Sequence, residues 1–231
     1  MKHQKITIGL IPAIIWGDKS NKAYIFVHGK MGCKEEASAF AEEVEKKGFQ
    51  VISFDLPEHG ERKNNRYSCS VQNGVKDLNT IMEYANKKWQ GLSLYAISLG
   101  AYFSLVAYQN YLFENCLFIS PVLDMERLIN NMMKWFGVSE EDLEIKKEIP
   151  TPIGETLSWD YLMYVKGNRI NTWNSKTEII YGENDNITER EVIDDFVQKY
   201  KAKLTVIKNG EHYLHSDEEG KKLNEWIKDN V

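Results

Sequence analysis

Residues 92 to 108, Leu-Ser-Leu-Tyr-Ala-Ile-Ser-Leu-Gly-Ala-Tyr-Phe-Ser-Leu-Val-Ala-Tyr, carry no charge and change their hydrophobic period part-way along. Leu92 to Ala96 is a short apolar run of the kind a strand buried on both faces requires, whereas Leu99 to Tyr108 suits a helix packed back onto that strand. Ser98 falls at the corner. A strand buried on both faces implies a parallel sheet covered by helices, and such sheets take their ligands at the carboxyl ends of the strands. The serine therefore sits where a nucleophile would work, with the positive end of a helix just behind it.

The remaining segments fit around that strand. Lys5 to Leu10, Pro12 to Trp16, Ala23 to Val27, Gln50 to Phe54, Cys116 to Ser120, Thr177 to Tyr181 and Lys203 to Ile207 read as further strands. Helical spacing recurs over Glu35 to Lys47, where Ala37, Phe40, Ala41 and Val44 share a face and Gly48 marks the stop, and over Val71 to Lys88. Thr188 to Glu191 has the form of a capping box opening a helix that runs to about Tyr200, and a last helix starts near Ser216. This alternation predicts an α/β fold: a mostly parallel central sheet of about eight strands, helices on both faces and right-handed crossovers.

Pro121 to Trp173 breaks the rhythm. It contains no convincing strand and reads as three helical pieces, Asp124 to Trp135, Ser139 to Lys147 and Leu157 to Val165. Ser139 with Asp142 forms a capping-box pattern, and Pro150-Thr151-Pro152 separates the second piece from the third. The segment holds Met125, Met132, Met133, Trp135, Phe136, Trp159, Tyr161, Tyr164 and Trp173. Such residues either adapt to an apolar ligand or pack a lid onto the sheet. The expected organisation is a single domain over 1–231 with a small helical lid at about 121–173.

Ala96-Ile97-Ser98-Leu99-Gly100 resembles the Gly-x-Ser-x-Gly nucleophile elbow of the α/β-hydrolase superfamily. Alanine replaces the first glycine, a mild departure because small side chains are what the close strand and helix backbones demand. His28-Gly29-Lys30-Met31-Gly32 is similar to the superfamily's oxyanion loop, which implies that the backbone N–H groups of Lys30 and Leu99 hold the developing oxyanion. A strand-ending turn with a structural histidine is the alternative reading of His28-Gly29. Asp55 to Gly60 resembles the loop after the superfamily's fourth strand, in which the histidine, here His59, is structural; Arg62 reads as a solvated surface residue. The resemblance further implies Asp185 and His212 as acid and base, each just past a strand and in the order Ser…Asp…His. His215 is a rival base, and Asp124 and Glu183 are rival acids. Met31, Trp135 and Trp159 are the candidate substrate contacts.

The resemblance implies a serine hydrolase acting on a small-molecule carboxylic ester or thioester through a Ser98-His212-Asp185 triad, with no cofactor. A peptidase, or a ligand-binding module without catalysis, is open on the same fold. Hydrophobic residues at 42% and charged residues at 27% suit a globular chain, and a net charge of -5 with both signs interspersed argues against nucleic-acid binding. Cys33, Cys69 and Cys116 have neither disulfide-framework nor zinc spacing, so no metal site is expected. The uncharged run from Trp89 to Phe113 is interrupted by serines, Gln109 and Asn110 and reads as buried strand and helix rather than a membrane span. The lack of a secretory pattern near Met1 leads to the expectation of a cytoplasmic protein.

Overall fold

A computed structural model describes residues 1–231. Its strands are β1 (His3–Ile8), β2 (Ile11–Trp16), β3 (Lys22–Val27), β4 (Gln50–Phe54), β5 (Gly91–Ile97), β6 (Cys116–Ile119), β7 (Glu148–Pro150), β8 (Thr156–Ser158), β9 (Thr177–Gly182) and β10 (Lys203–Ile207). Its helices are α1 (Ala37–Glu45), α2 (Val71–Lys88), α3 (Leu99–Tyr108), α4 (Met125–Trp135), α5 (Glu140–Lys146), α6 (Trp159–Gly167), α7 (Arg190–Tyr200) and α8 (Asp217–Asn230). Eight strands form one sheet in the order β1-β2-β4-β3-β5-β6-β9-β10. The β1–β2 and β2–β4 pairs are antiparallel and every other pair is parallel, in agreement with the predicted sheet.

Side chains on successive strand residues point to opposite faces, and the central strands use both. On β3, Ala23, Ile25 and Val27 join the core beneath α2 and α3, whereas Tyr24 and Phe26 pack with Phe40 and Val44 of α1 and with Trp226 of α8. Strand β5 divides likewise, with Leu92, Leu94 and Ala96 on the first face and Tyr95 on the second. Helix α3 is buried around nearly its whole circumference, which explains why the uncharged run continues past the serine.

Residues 121–173 hold α4, α5, β7, β8 and α6. The sequence reading of this stretch as helices alone is corrected: β7 and β8 form a small antiparallel hairpin with Glu148 opposite Ser158. Two three-residue strands, separated by a turn that carries Thr151-Pro152, are too short to leave a period-two signature. Met125, Met133 and Trp173 are buried in the same core as α2 and α3, so their role is packing. Two local readings also change. Thr188 does not cap α7: Glu189 occupies the cap without a side-chain bond, and the Thr188 hydroxyl donates to the Pro121 carbonyl at 3.0 Å. Arg62 is not a surface residue but is 4% exposed and paired with Asp77 at 2.5 Å. The Ser139–Asp142 capping box is formed. No helix is long and apolar enough to cross a membrane.

Candidate active site

Ser98 stands between β5 and α3 with φ 46° and ψ −113°, a region that costs a non-glycine residue about 1–3 kcal/mol and is held by its surroundings. Those surroundings are visible. The Ser98 N–H donates to the Ile119 carbonyl at 3.0 Å, and the Ser98 carbonyl accepts from Val122 at 3.2 Å, so the corner is pinned to the chain leaving β6. A side-chain carbon on Gly29 would lie 3.5 Å from Ser98 Cβ, which puts the loop after β3 directly against the serine.

The three residues expected to form a triad converge at one edge of the sheet. Ser98 Oγ lies 2.8 Å from His212 Nε2, and His212 Nδ1 lies 2.7 Å from Asp185 Oδ2. The buried Asp185 carboxylate also accepts from the N–H groups of Ile187 at 2.8 Å and Thr188 at 2.9 Å, both on Oδ1. With Nδ1–H donating to the acid, Nε2 is free to accept the serine proton. Among the rivals, Asp124 caps α4 by accepting from the Arg127 N–H, Glu183 accepts from the Asn209 N–H, and His215 is exposed.

Gly182 permits this convergence. A side-chain carbon on Gly182 would lie 2.5 Å from the carbonyl oxygens of both Gly210 and Glu211, so only glycine lets the loop after β9 run against the loop after β10. The Asn184 N–H then donates to the Gly210 carbonyl at 2.7 Å. The histidine loop has a further support that the sequence reading missed. Glu219, in the first turn of α8, accepts from the Ser216 N–H and the Glu211 N–H, each at 2.8 Å, and so holds the residue preceding His212. Hydrogen bonds from the Ser216 side chain, then from the Glu211 and Ser216 backbones, draw the Glu219 carboxyl down to about 2. The residue three positions after a helix-capping serine was the available signal.

The loop after β3 is anchored at both ends to the loop after β4. The buried His28 accepts from the Leu56 N–H at 3.0 Å through Nε2, and its Nδ1 donates to the Gly29 carbonyl at 2.7 Å. Burial pushes its pKa down to about 4, against the opposing pull of the Gly29 bond, so the ring stays neutral and structural. At the far end the buried Lys34 pairs with Asp55 at 2.8 Å. Between them Gly29 to Gly32 form a turn closed by the Gly32 N–H on the Gly29 carbonyl, with Met31 at φ 63°. The N–H groups of Lys30 and of Leu99, the first residue of α3, have no acceptor within the chain. His59 donates from Nδ1 to the Pro57 carbonyl, the backbone role expected of it.

Met31 is 77% exposed within this turn, Trp135 is 55% exposed at the end of α4, and Trp159 is half-buried on α6. A cleft of about 610 Å³ opens instead between Tyr102 of α3 and Leu123, Met125, Lys134, Val165 and Arg169, and neither these three candidates nor a triad residue lines it. Tyr102 lies one helical turn beyond Ser98. Burial, aided by Glu58, pushes the Cys69 thiol up to about 12, leaving it a poor competitor as nucleophile at neutral pH. No group of His, Cys, Asp and Glu is arranged to hold a metal ion.

Residues 18–152 match the family described as serine aminopeptidase, S33. No curated protein sequence matches the chain. Among solved structures, Est1E from Butyrivibrio proteoclasticus with ferulic acid bound is 18% identical over 98% of this chain and 96% of its own, with a TM-score of 0.77. Alpha/beta hydrolase domain-containing protein 10 from mouse is 18% identical over 99% and 98%, with a TM-score of 0.74. The monoacylglycerol lipase of Paleococcus ferrophilus is 19% identical over 96% and 99%, with a TM-score of 0.70.

Proposed function

The chain belongs to the serine aminopeptidase (S33) family of α/β-hydrolases, and from that membership we propose that it is a serine hydrolase cleaving a carboxylic ester or thioester through an acyl-enzyme. The observation that carries this reading is the pair of hydrogen bonds running from Ser98 Oγ through His212 to Asp185, at 2.8 and 2.7 Å. In the proposed reaction Ser98 Oγ attacks the substrate carbonyl carbon while His212 Nε2 takes the hydroxyl proton. Asp185 keeps Nδ1 protonated and stabilises the imidazolium that forms. The carbonyl oxygen, now an anion, is received by the N–H groups of Lys30 and Leu99. His212 then gives its proton to the leaving oxygen or sulfur. Water repeats the sequence on the acyl-enzyme, with His212 as base, and frees Ser98.

The insertion over residues 121–173 is proposed to act as a lid that sets substrate choice without entering the chemistry. Trp135 and Trp159 of the insertion, with Met31 of the oxyanion loop, are the proposed substrate contacts; the cleft beside Tyr102 is lined by none of them. The family's description favours a second reading, cleavage of an N-terminal amino-acid amide by the same triad. Pre-steady-state hydrolysis separates these readings. A burst of about one alcohol per chain is expected with acetyl, butyryl or aryl esters, the last including a feruloyl ester because Est1E is solved with ferulic acid. Faster turnover of aminoacyl anilides than of any ester would establish the peptidase reading, and no turnover of either would leave a binding module.

A further inference from the structure

The hairpin of β7 and β8 keeps nearly all its polar bonds to itself or its own insertion. Thr151 donates to the Glu155 carbonyl through both N–H and hydroxyl, Ser158 caps α6, and the Trp159 N–H returns to the Lys147 carbonyl. The exception is Glu155. Its carboxylate pairs with Lys30 Nζ, and this is the only hydrogen bond or ion pair joining residues 148–158 to the chain outside the insertion. Leu157 is buried at the hairpin's base, but Pro152, Ile153 and Gly154 at the tip are exposed, so apolar packing holds the base and not the tip.

The other half of the pair sits in the middle of the oxyanion loop. That loop is tied down at His28 and Lys34, but its centre has only the turn itself, with Met31 in the left-handed region and largely exposed. Met has no special fitness for that conformation, so the turn depends on outside support. The Lys30 side chain is placed to provide it through its ion pair with Glu155. One residue therefore offers its N–H to the oxyanion and its ammonium to the hairpin. Both side chains are partly open to water, at 45% and 34%, which makes the contact weak and exchangeable rather than a permanent staple.

We propose that Lys30 and Glu155 are positioning residues whose ion pair couples the 148–158 hairpin to the oxyanion loop, so that a seated hairpin and a correctly set Lys30 N–H form one state. The inference rests on the serine-hydrolase reading and deepens it. Because every acyl group uses the oxyanion donors, breaking the pair should lower kcat even for an acetyl ester and leave KM nearly unchanged. A hairpin acting only through contact with substrate would penalise long acyl groups instead.

The test compares the wild type with Glu155→Gln, Lys30→Met, Lys30→Arg and the exchanged pair Lys30→Glu/Glu155→Lys, using acetyl-ester kinetics and hydrogen exchange. Glu155→Gln and Lys30→Met are expected to lower kcat by up to about fivefold, the ceiling for an exposed ion pair. Exchange in 28–33 and 148–158 should rise together in both variants. Lys30→Arg should keep most activity, the exchanged pair should regain part of it, and added salt should reduce the wild type toward the variants. The coupling is overturned if Glu155→Gln leaves kcat and loop 28–33 exchange unchanged while Ser98 still reacts with a fluorophosphonate. If Ser98 of the wild type does not react yet both segments loosen together, the coupling stands and the hydrolase reading fails.

Discussion

A side-chain carbon on Gly100 would collide with the carbonyl oxygen of His28 and lie 2.7 Å from that of Val27. The second small residue of the elbow is thus required by the neighbouring strand's exit, which delivers the oxyanion loop. Gly100→Ala should overpack this contact at a cost of about 1–3 kcal/mol, lowering Tm by about 2–4 °C per kcal/mol in a chain of this size. Calorimetry measures it, and an unchanged Tm would mean that strand and helix are not so closely apposed.

Asp185 and Asp124 both follow strands, but they differ in partner. Asp185→Asn presents an amide to His212 Nδ1 and favours the wrong tautomer, so kcat should fall about 10³–10⁴-fold with the fold intact. Asp124→Asn still accepts the Arg127 N–H at the start of α4 and should leave kcat within twofold, roughly the scatter expected of a cap-preserving change. Steady-state kinetics on the two purified variants decides the acid; the opposite order would move it to the β6 loop.

Acid should destabilise the protein through His28. The ring binds a proton near its ordinary value of 6.5 when unfolded but only at about 4 when folded, so between these values the unfolded state holds more protons. Stability from this group is full above pH 6.5 and is lost as pH falls toward 4, by up to about 3 kcal/mol. Ring chemical shifts should show His28 neutral at pH 5.5, whereas titration near 6.5 would refute its burial as the cause.

Trp135 is exposed enough for its truncation to be read without a folding artefact. Trp135→Ala should change stability by less than about 0.5 kcal/mol. If the insertion sets substrate choice, kcat/KM should fall more for long or aryl esters than for an acetyl ester. Equal loss across the panel would remove Trp135 from the substrate's path.

The features legible from sequence were those written in local pattern. Apolar runs such as Ala23 to Val27 and Leu92 to Ala96 marked strands, because burial on both faces admits few other residues. The corner at Ser98 showed as a change of period. Long-range pairings were not legible. Arg62 reads as solvated until Asp77 on α2 is seen beside it, and nothing near Lys30 announces Glu155. The β7–β8 hairpin was hidden by its brevity. Thr188 carried the form of a cap, yet its hydroxyl was taken by Pro121 across the insertion's first residue. For Arg62 and Thr188 a contact between distant segments outweighed the local preference.

The central claim is that His212 activates Ser98 as a nucleophile, and intact-mass measurement after reaction with a fluorophosphonate tests it most directly. The wild type should gain one adduct per chain, mapped to Ser98. Ser98→Ala should gain none, and His212→Ala should react far more slowly. An unmodified wild type, or a Ser98→Ala variant that gains the same adduct, would contradict the account.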